Sequence, residues 1–286
     1  MWDDQDHYLS DFRIGAKWSN IIRYRWLAVK KAVDRMILLS VLESWHPIYD
    51  RQGKLLLPVG GGATTTVYPD PDAVHSPTTV DGVVPGEAGH GAADWAGIRA
   101  STSNIAFTTE ATRNMRGRGS NTDGYYIELG RVFLLFDTSG IDADDTISSA
   151  TISLFLVSKL EAWTESVSIV TSNPNTNTTL IAGDYDKLQA VIQAPNITIN
   201  SMTADDSTYT DWTLTSTGLG NIAQGSGVSK FGSRLTLDLA DTPTPSWVNN
   251  GSTGINWNTA DQTGTSKDPK LTVIHGPPFT PRVLMF

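Results

Sequence analysis

GRVFLLFDTSGIDADDTISSATISLFLVSK, Gly130 to Lys159, alternates apolar and polar residues twice, with a loop of acidic and small residues between the two runs. A period of two over four to eight residues is the mark of a strand with one face in a core, so the stretch predicts two β-strands in a hairpin-like unit. The same grammar continues outward. VFLLF, TISSATISLFLV, ESVSIV, SRLTLDL and KLTVIH alternate or run apolar, with Val, Ile, Thr and Phe prominent. Turn clusters such as SNPNTNTT, NNGSTG and ADQTGTSKDP separate them. Helix-period segments are scarce, with DYDKLQAV and STGLGNIAQ as the two short candidates. The reading is an all-β domain over residues 63–275, a sandwich of two antiparallel sheets with a jelly roll as its topology. No internal period of 20 to 50 residues accompanies it, which argues against a β-helix.

Toward the N-terminus the pattern changes. Ile22, Trp26, Val29, Val33 and Met36 recur at spacings of 4, 3, 4 and 3, one face of a helix running roughly from residue 20 to residue 43. Lys30, Lys31, Asp34 and Arg35 fall mostly on the other side, and MILLSVL beyond Met36 is apolar all round but too short to span a bilayer. Such a stripe packs on its own domain, anchors in another subunit, or lies on a membrane surface. The switch in charge and period at the Gly60 to Gly62 hinge favours the anchor, so residues 1–62 are expected to be a helical anchor segment with a Gly-rich linker. After the domain, GPPFTPRVLMF carries Pro277, Pro278 and Pro281, which deny it helix and central-strand roles. It also carries Phe279, Leu284 and Phe286, which are too apolar for a free end. Residues 276–286 are therefore expected to be an extended tail that docks on a partner or on an edge of its own sandwich.

Charge sharpens the division. The net charge of −9 is made of +2 over residues 1–57 and −11 over the rest. A body this acidic repels phosphate backbones, so nucleic-acid binding is not expected of it. Cysteine is absent, which excludes disulfides and thiolate metal sites. The start MWDDQDHYLSDF carries acid where a secretory signal carries base, and manufacture in a cytoplasm is expected.

The stretch FLLFDTSGIDADDTISSATISLFL resembles the signature of DNRLRE-type, carbohydrate-module-like jelly-roll domains: an apolar run, Phe-Asp, a Ser-rich turn, then Ile-x-Ser-Ala-x-Leu-x-Leu. DWTLTSTGLGNIA is similar to that family's Trp-led strand and turn, and DPKLTVIHG to its closing strand. A nearer resemblance is to phage virion proteins carrying this domain. It rests on YPDPD leading into TTVDG, then WAGIR, SNPNTNTTLIAGDYD, VSKFGSRL and DQTGTSKDPKL in that order. The likeness implies a structural or receptor-facing part of a virion, a head decoration, fibre or tail accessory assembled in the host cytoplasm. Its partners would be capsid, tail or fibre proteins. Trp2, Trp18, Trp26 and Trp45 concentrate indoles in the N-terminal region, so burial between chains of a homo-oligomer is expected.

Site chemistry is thin. Trp247 and Trp257 lie in Gly/Asn/Ser/Thr-rich loops and are the candidates for stacking on a glycan, the alternative being that they pin loops or fill interfaces. Trp212 and Phe231 sit in alternating runs and read as core. Asp137, following FLLF, reads as an Asx-turn residue. Asp70, Asp72, His75 and Asp81 bring oxygen and imidazole ligands into one short loop. That chemistry suits a structural calcium, although the spacing matches no EF-hand and Pro69 and Pro71 equally make a rigid entry. The turn of Asp142, Asp144 and Asp145 is expected to be a solvated hairpin loop. No GxSxG, HExxH or phosphate-binding loop occurs and no carboxylate pair is marked, so catalysis is not expected. The rival readings are a free carbohydrate-binding module and a polysaccharide hydrolase.

Overall fold

The computed structural model describes residues 48–49, 55–56, 62–69, 78–87, 91–101, 105–244 and 247–278. The helix read over 20–43, with Ile22, Trp26, Val29, Val33 and Met36, lies outside the described residues, as do Asp70, Asp72, His75 and the tail residues Phe279, Leu284 and Phe286. Contacts group the chain into two compact units, Met1–Val59 with Thr280–Phe286, and Gly60–Phe279. In the first, β1 (Ile48–Tyr49) pairs antiparallel with β2 (Leu55–Leu56).

The second unit is all antiparallel β. Its strands are β3 (Ala63–Val67), β4 (Asp81–Glu87), β5 (Thr112–Gly119), β6 (Tyr126–Asp137), β7 (Thr146–Glu161) and β8 (Ser166–Ser172), then β9 (Leu188–Ile192), β10 (Ile197–Thr198), β11 (Tyr209–Thr213), β12 (Val228–Leu235), β13 (Ser252–Asn258) and β14 (Lys270–Gly276). Short helical turns interrupt them: α1 (Trp95–Ala100), α2 (Ser216–Leu219) and α3 (Thr236–Ala240), with 3-10 turns at Ala182–Lys187 and Ile199–Ser201. All twelve strands belong to one hydrogen-bonded sheet in the order β10-β8-β12-β6-β5-β13-β7-β14-β3, with β4 added to β6, β9 to β8 and β11 to β7.

The two runs that open the sequence reading form β6 and β7, but they do not pair with each other. β6 is bordered by β4, β5 and β12, and β7 by β11, β13 and β14. The expected hairpin is therefore an arch, and the physical reason lies in its connection. Residues 138–145 are longer than the two to five residues of ordinary hairpin loops, and Ile141 in their middle is fully buried in the core. Gln224 Nε2 donates to the carbonyls of Asp142 and Asp145 at 3.0 and 2.8 Å, and Thr138 N donates to Gly227 O at 3.2 Å. The arch is held by the β11–β12 side of the fold rather than by its own strands.

Though not paired, β6 and β7 contribute side chains to one core. Val132, Leu134 and Phe136 of β6 share a cluster with Ile152, Leu154 and Leu156 of β7, Val167 and Ile169 of β8, Trp212 of β11 and Val273 of β14. The sheet thus folds back around a common interior. The intervening residues Phe133 and Leu135 face a second cluster with Val80, Val84, Val170, Leu180, Tyr185 and Leu188. Burial on both faces explains why this strand reads VFLLF without a polar alternation. Trp212 and Phe231 are core residues, as expected.

Local departures have identifiable causes. SRLTLDL leaves the strand at Leu235 and turns into α3, because Glu165 Oε2 accepts from the Leu237 N–H at 3.1 Å and from the Thr236 hydroxyl, a cap supplied from the far side of the chain. DYDKLQAV is divided between a 3-10 turn and β9 instead of forming one helix. WAGIR is α1, capped by Asp94 Oδ1 accepting from Gly97 N at 2.8 Å.

Candidate functional site

Among the described residues of this unit, three constellations of chemistry-bearing side chains stand out. The first is aromatic. Tyr126 opens β6, Trp163 follows β7, Trp95 starts α1 and Trp247 lies between α3 and β13. Trp247 stacks on Trp163 with centroids 6.1 Å apart and 30° between planes, and Tyr126 presents its edge to Trp247 at 5.2 Å and to Trp95 at 5.0 Å. Gly119 makes room, since a Cβ there would stand 2.9 Å from the Trp247 ring. Trp247 Nε1 donates to Asn249 Oδ1 at 3.1 Å, and Thr244 N donates to the Tyr126 hydroxyl at 3.1 Å. Burial, opposed by the Thr244 bond, pushes the Tyr126 phenol up. Trp247 is therefore half-buried and pinned, at a rim where Tyr125 and Val248 are exposed. Trp257 is not at this rim. Its ring is fully buried in β13 among the core residues, so the expectation that it stacks on a glycan is corrected. It shares parity with Ile255 in STGINWN, a signal masked by the small polar residues around it.

The second constellation is a charged knot. Asp238, fully buried in α3, accepts from Arg131 (Nε and Nη2, 2.8 and 2.9 Å), from Arg234 (Nε and Nη2, both 2.8 Å) and from Arg99 Nε at 3.2 Å. Arg131 also donates to Tyr185 O at 2.9 Å and Asp186 Oδ1 at 3.0 Å and lies 3.9 Å from the Tyr185 ring centroid, while Arg99 pairs with Asp241. Burial alone would raise the Asp238 pKa, but the Arg131 and Arg234 bonds overcome it and hold the carboxyl well below its ordinary value. Burial likewise opposes the Arg131 charge and is outweighed by Asp238. Three cations against Asp238, Asp186 and Asp241 leave this knot balanced, a structural arrangement joining α1, β6, β12 and α3. Sequence reasoning missed it. A lone Arg in the apolar GRVFLLF and the i,i+4 spacing of Arg234 and Asp238 were its available signals.

Carboxylates make up the third. Asp81, expected as a calcium ligand with Asp70 and Asp72, is buried at the head of β4, and the Ala260 N–H approaches its two oxygens at 3.3 and 3.4 Å. That contact ties it to the β13–β14 loop. There Asp268 is 2% exposed and its Oδ1 has no hydrogen-bond partner, and burial with the nearby Asp261 pushes its carboxyl up to about 7. Among the described residues no three His, Asp or Glu side chains converge as a metal site.

Two further residues resolve plainly. Asp137 accepts from Ser139 N at 3.0 Å, the expected Asx turn, and the Ser139 bonds lower its carboxyl pKa. Asp142 and Asp144 are exposed, but Asp145 contacts His275 Nδ1 through Oδ2 at 2.6 Å, and His275 Nε2 meets Thr65 Oγ1 at 2.8 Å. This hydroxyl–imidazole–carboxylate series clasps β3, β14 and the arch. His275, at 6% exposure, is buried inside the clasp.

No protein-family model matches the chain, and no curated protein matches it.

Proposed function

We propose that this protein is a structural component of a bacteriophage virion, a β domain displayed outward as a head decoration, fibre or tail accessory and attached through both ends of its chain. The observation that carries the reading is the division of the chain into two compact units, with the β domain, Gly60–Phe279, a unit of its own. Residues 1–57, at +2, and the acidic remainder supply the matching change in surface chemistry. The domain itself we read as a jelly-roll sandwich. The support is that β6 and β7, consecutive in the chain, do not pair yet share one core, as strands of the two sheets of a jelly roll do. The protein works by assembly and binding rather than catalysis, with capsid, tail or fibre proteins as partners and the half-buried Trp247 rim as the surface for a host glycan.

The test is incorporation. Full-length protein and variants lacking residues 1–59 or 280–286 are expressed during particle assembly, and purified particles are probed for the chain. Incorporation of the full chain and exclusion of folded truncations is the expected result. Particles that never contain the full-length chain overturn the proposal and favour a free carbohydrate-binding module, the reading to which the Trp247 rim would then belong.

A further inference from the structure

One buried carboxylate oxygen in the loop from Thr259 to Pro269, Asp268 Oδ1, has no hydrogen-bond partner. Asp268 is 2% exposed, yet this oxygen meets no donor, whereas two other buried carboxylates are well supplied: Asp238 accepts from three arginines and Asp184 from the Asn175 and Ile181 N–H groups. A buried carboxylate oxygen without a partner is costly. A second carboxylate, Asp261, lies close enough for its charge to act on Asp268, and like charges deepen the cost. The cation in the same loop, Lys267, does not relieve it: its ammonium pairs with Asp206 Oδ2 at 2.5 Å, and Asn258 Nδ2 holds the other oxygen of Asp206 at 3.0 Å. The loop backbone is nevertheless fixed. Tyr209 shares its hydroxyl between Ser266 O and Asp268 O at 2.9 and 3.1 Å, Thr259 bonds Glu110 O, and Gly264 takes φ +78°, a turn conformation open to glycine.

We infer that the β13–β14 loop is a site for a hard divalent cation, calcium-sized, bound by the carboxylates of Asp261 and Asp268. Calcium takes six to eight oxygens in flexible geometry, so two carboxylates need supplementing by loop carbonyls, the hydroxyls of Thr263, Thr265 and Ser266, and water. A two-carboxylate site of this kind is compatible with the lack of a three-side-chain cluster among the described residues. The cation supplies the partner that Asp268 Oδ1 lacks and removes the repulsion from Asp261. The inference is independent of the virion reading, because it concerns one loop of the β domain whatever that domain is attached to.

The experiment uses the full chain stripped with a chelator. Adding Ca2+ is expected to raise the melting temperature by about 5–10 °C at a hundredfold excess over Kd, with Mg2+ at equal concentration giving less. Tb3+ substituted for Ca2+ is expected to show emission sensitised by Tyr209, quenched by competing Ca2+. Asp268→Asn and the milder Asp261→Asn are expected to abolish both responses, while Asp142→Asn in the arch keeps them. The inference is overturned if neither Ca2+ nor Tb3+ changes the wild-type protein up to millimolar concentration. It is equally overturned if both responses survive in Asp261→Asn and Asp268→Asn, or if Asp142→Asn removes them.

Discussion

Asp238 shows how much one side chain can hold. Three guanidiniums converge on it, those of Arg131 and Arg234 buried, so its removal leaves uncompensated buried charge, an arrangement that typically costs about 3–5 kcal/mol. Asp238→Ala should therefore lower stability by about that amount, checked by urea unfolding of the wild type and variant. The pH dependence follows from the sign of its shift. Because the folded carboxyl lies below its ordinary value, its contribution is present above the unfolded pKa, near 4, and is lost as pH falls through that value toward the folded one. An Asp238→Asn protein should show a flatter acid limb in its stability profile than the wild type. A parallel limb for the two proteins would refute the assignment. Only the i,i+4 pair of Arg234 and Asp238 was legible in the sequence, since an Arg within an apolar strand does not say which carboxylate it will meet across more than a hundred residues. Trp257 failed for the opposite reason. Its neighbours are small and polar, and local composition outweighed the two-residue parity that places it with Ile255 in the core. The Asx turn at Asp137 was legible because its bond closes within two residues.

Among the elements, β6 could be read as a strand, although its VFLLF run is apolar on both faces, each buried in its own cluster, where alternation was expected. Its partner could not. Periodicity reports which face of a strand is apolar and is silent on which strand lies beside it, so an arch and a hairpin write the same pattern. The distinguishing residue is Ile141, apolar in a loop that otherwise carries acids and small residues. Ile141→Ala should destabilise by about 2–4 kcal/mol, as buried truncations do, whereas Asp144→Ala at an exposed position in the same loop should stay within about 0.5 kcal/mol. Equal effects in thermal or urea melts would argue that the loop is a solvated hairpin after all. The aromatic rim makes a second demand on an element. Gly119 of β5 lies where a methyl group would meet the Trp247 ring at 2.9 Å, so Gly119→Ala should shift the tryptophan emission and cost about 1–3 kcal/mol. An unchanged spectrum would mean that Trp247 is held elsewhere.

For the molecule as a unit, the proposed attachment through both chain ends predicts that residues 60–279 melt cooperatively on their own. Differential scanning calorimetry of that fragment should give one transition, and aggregation or a broad melt would count against a separable β domain. The glycan reading is tested by arraying host-surface polysaccharides against the full chain and Trp247→Ala, with loss of binding expected in the variant and a folded far-UV spectrum retained. The all-β class was legible in the sequence because it needs only local alternation, while the position of every site depended on strand order, which local alternation does not encode. Strand order also carries a mechanical consequence. β3, the first strand of the domain, and β14, its last, are antiparallel neighbours, with Ala63 opposite His275, so the chain enters and leaves at the same corner. Tension applied between those two ends would not shear the sheet. It would unzip β3 from β14 one rung at a time, beginning at the rungs where His275 grips Thr65 and Asp145, and the rest of the fold would feel the load only after that clasp had opened.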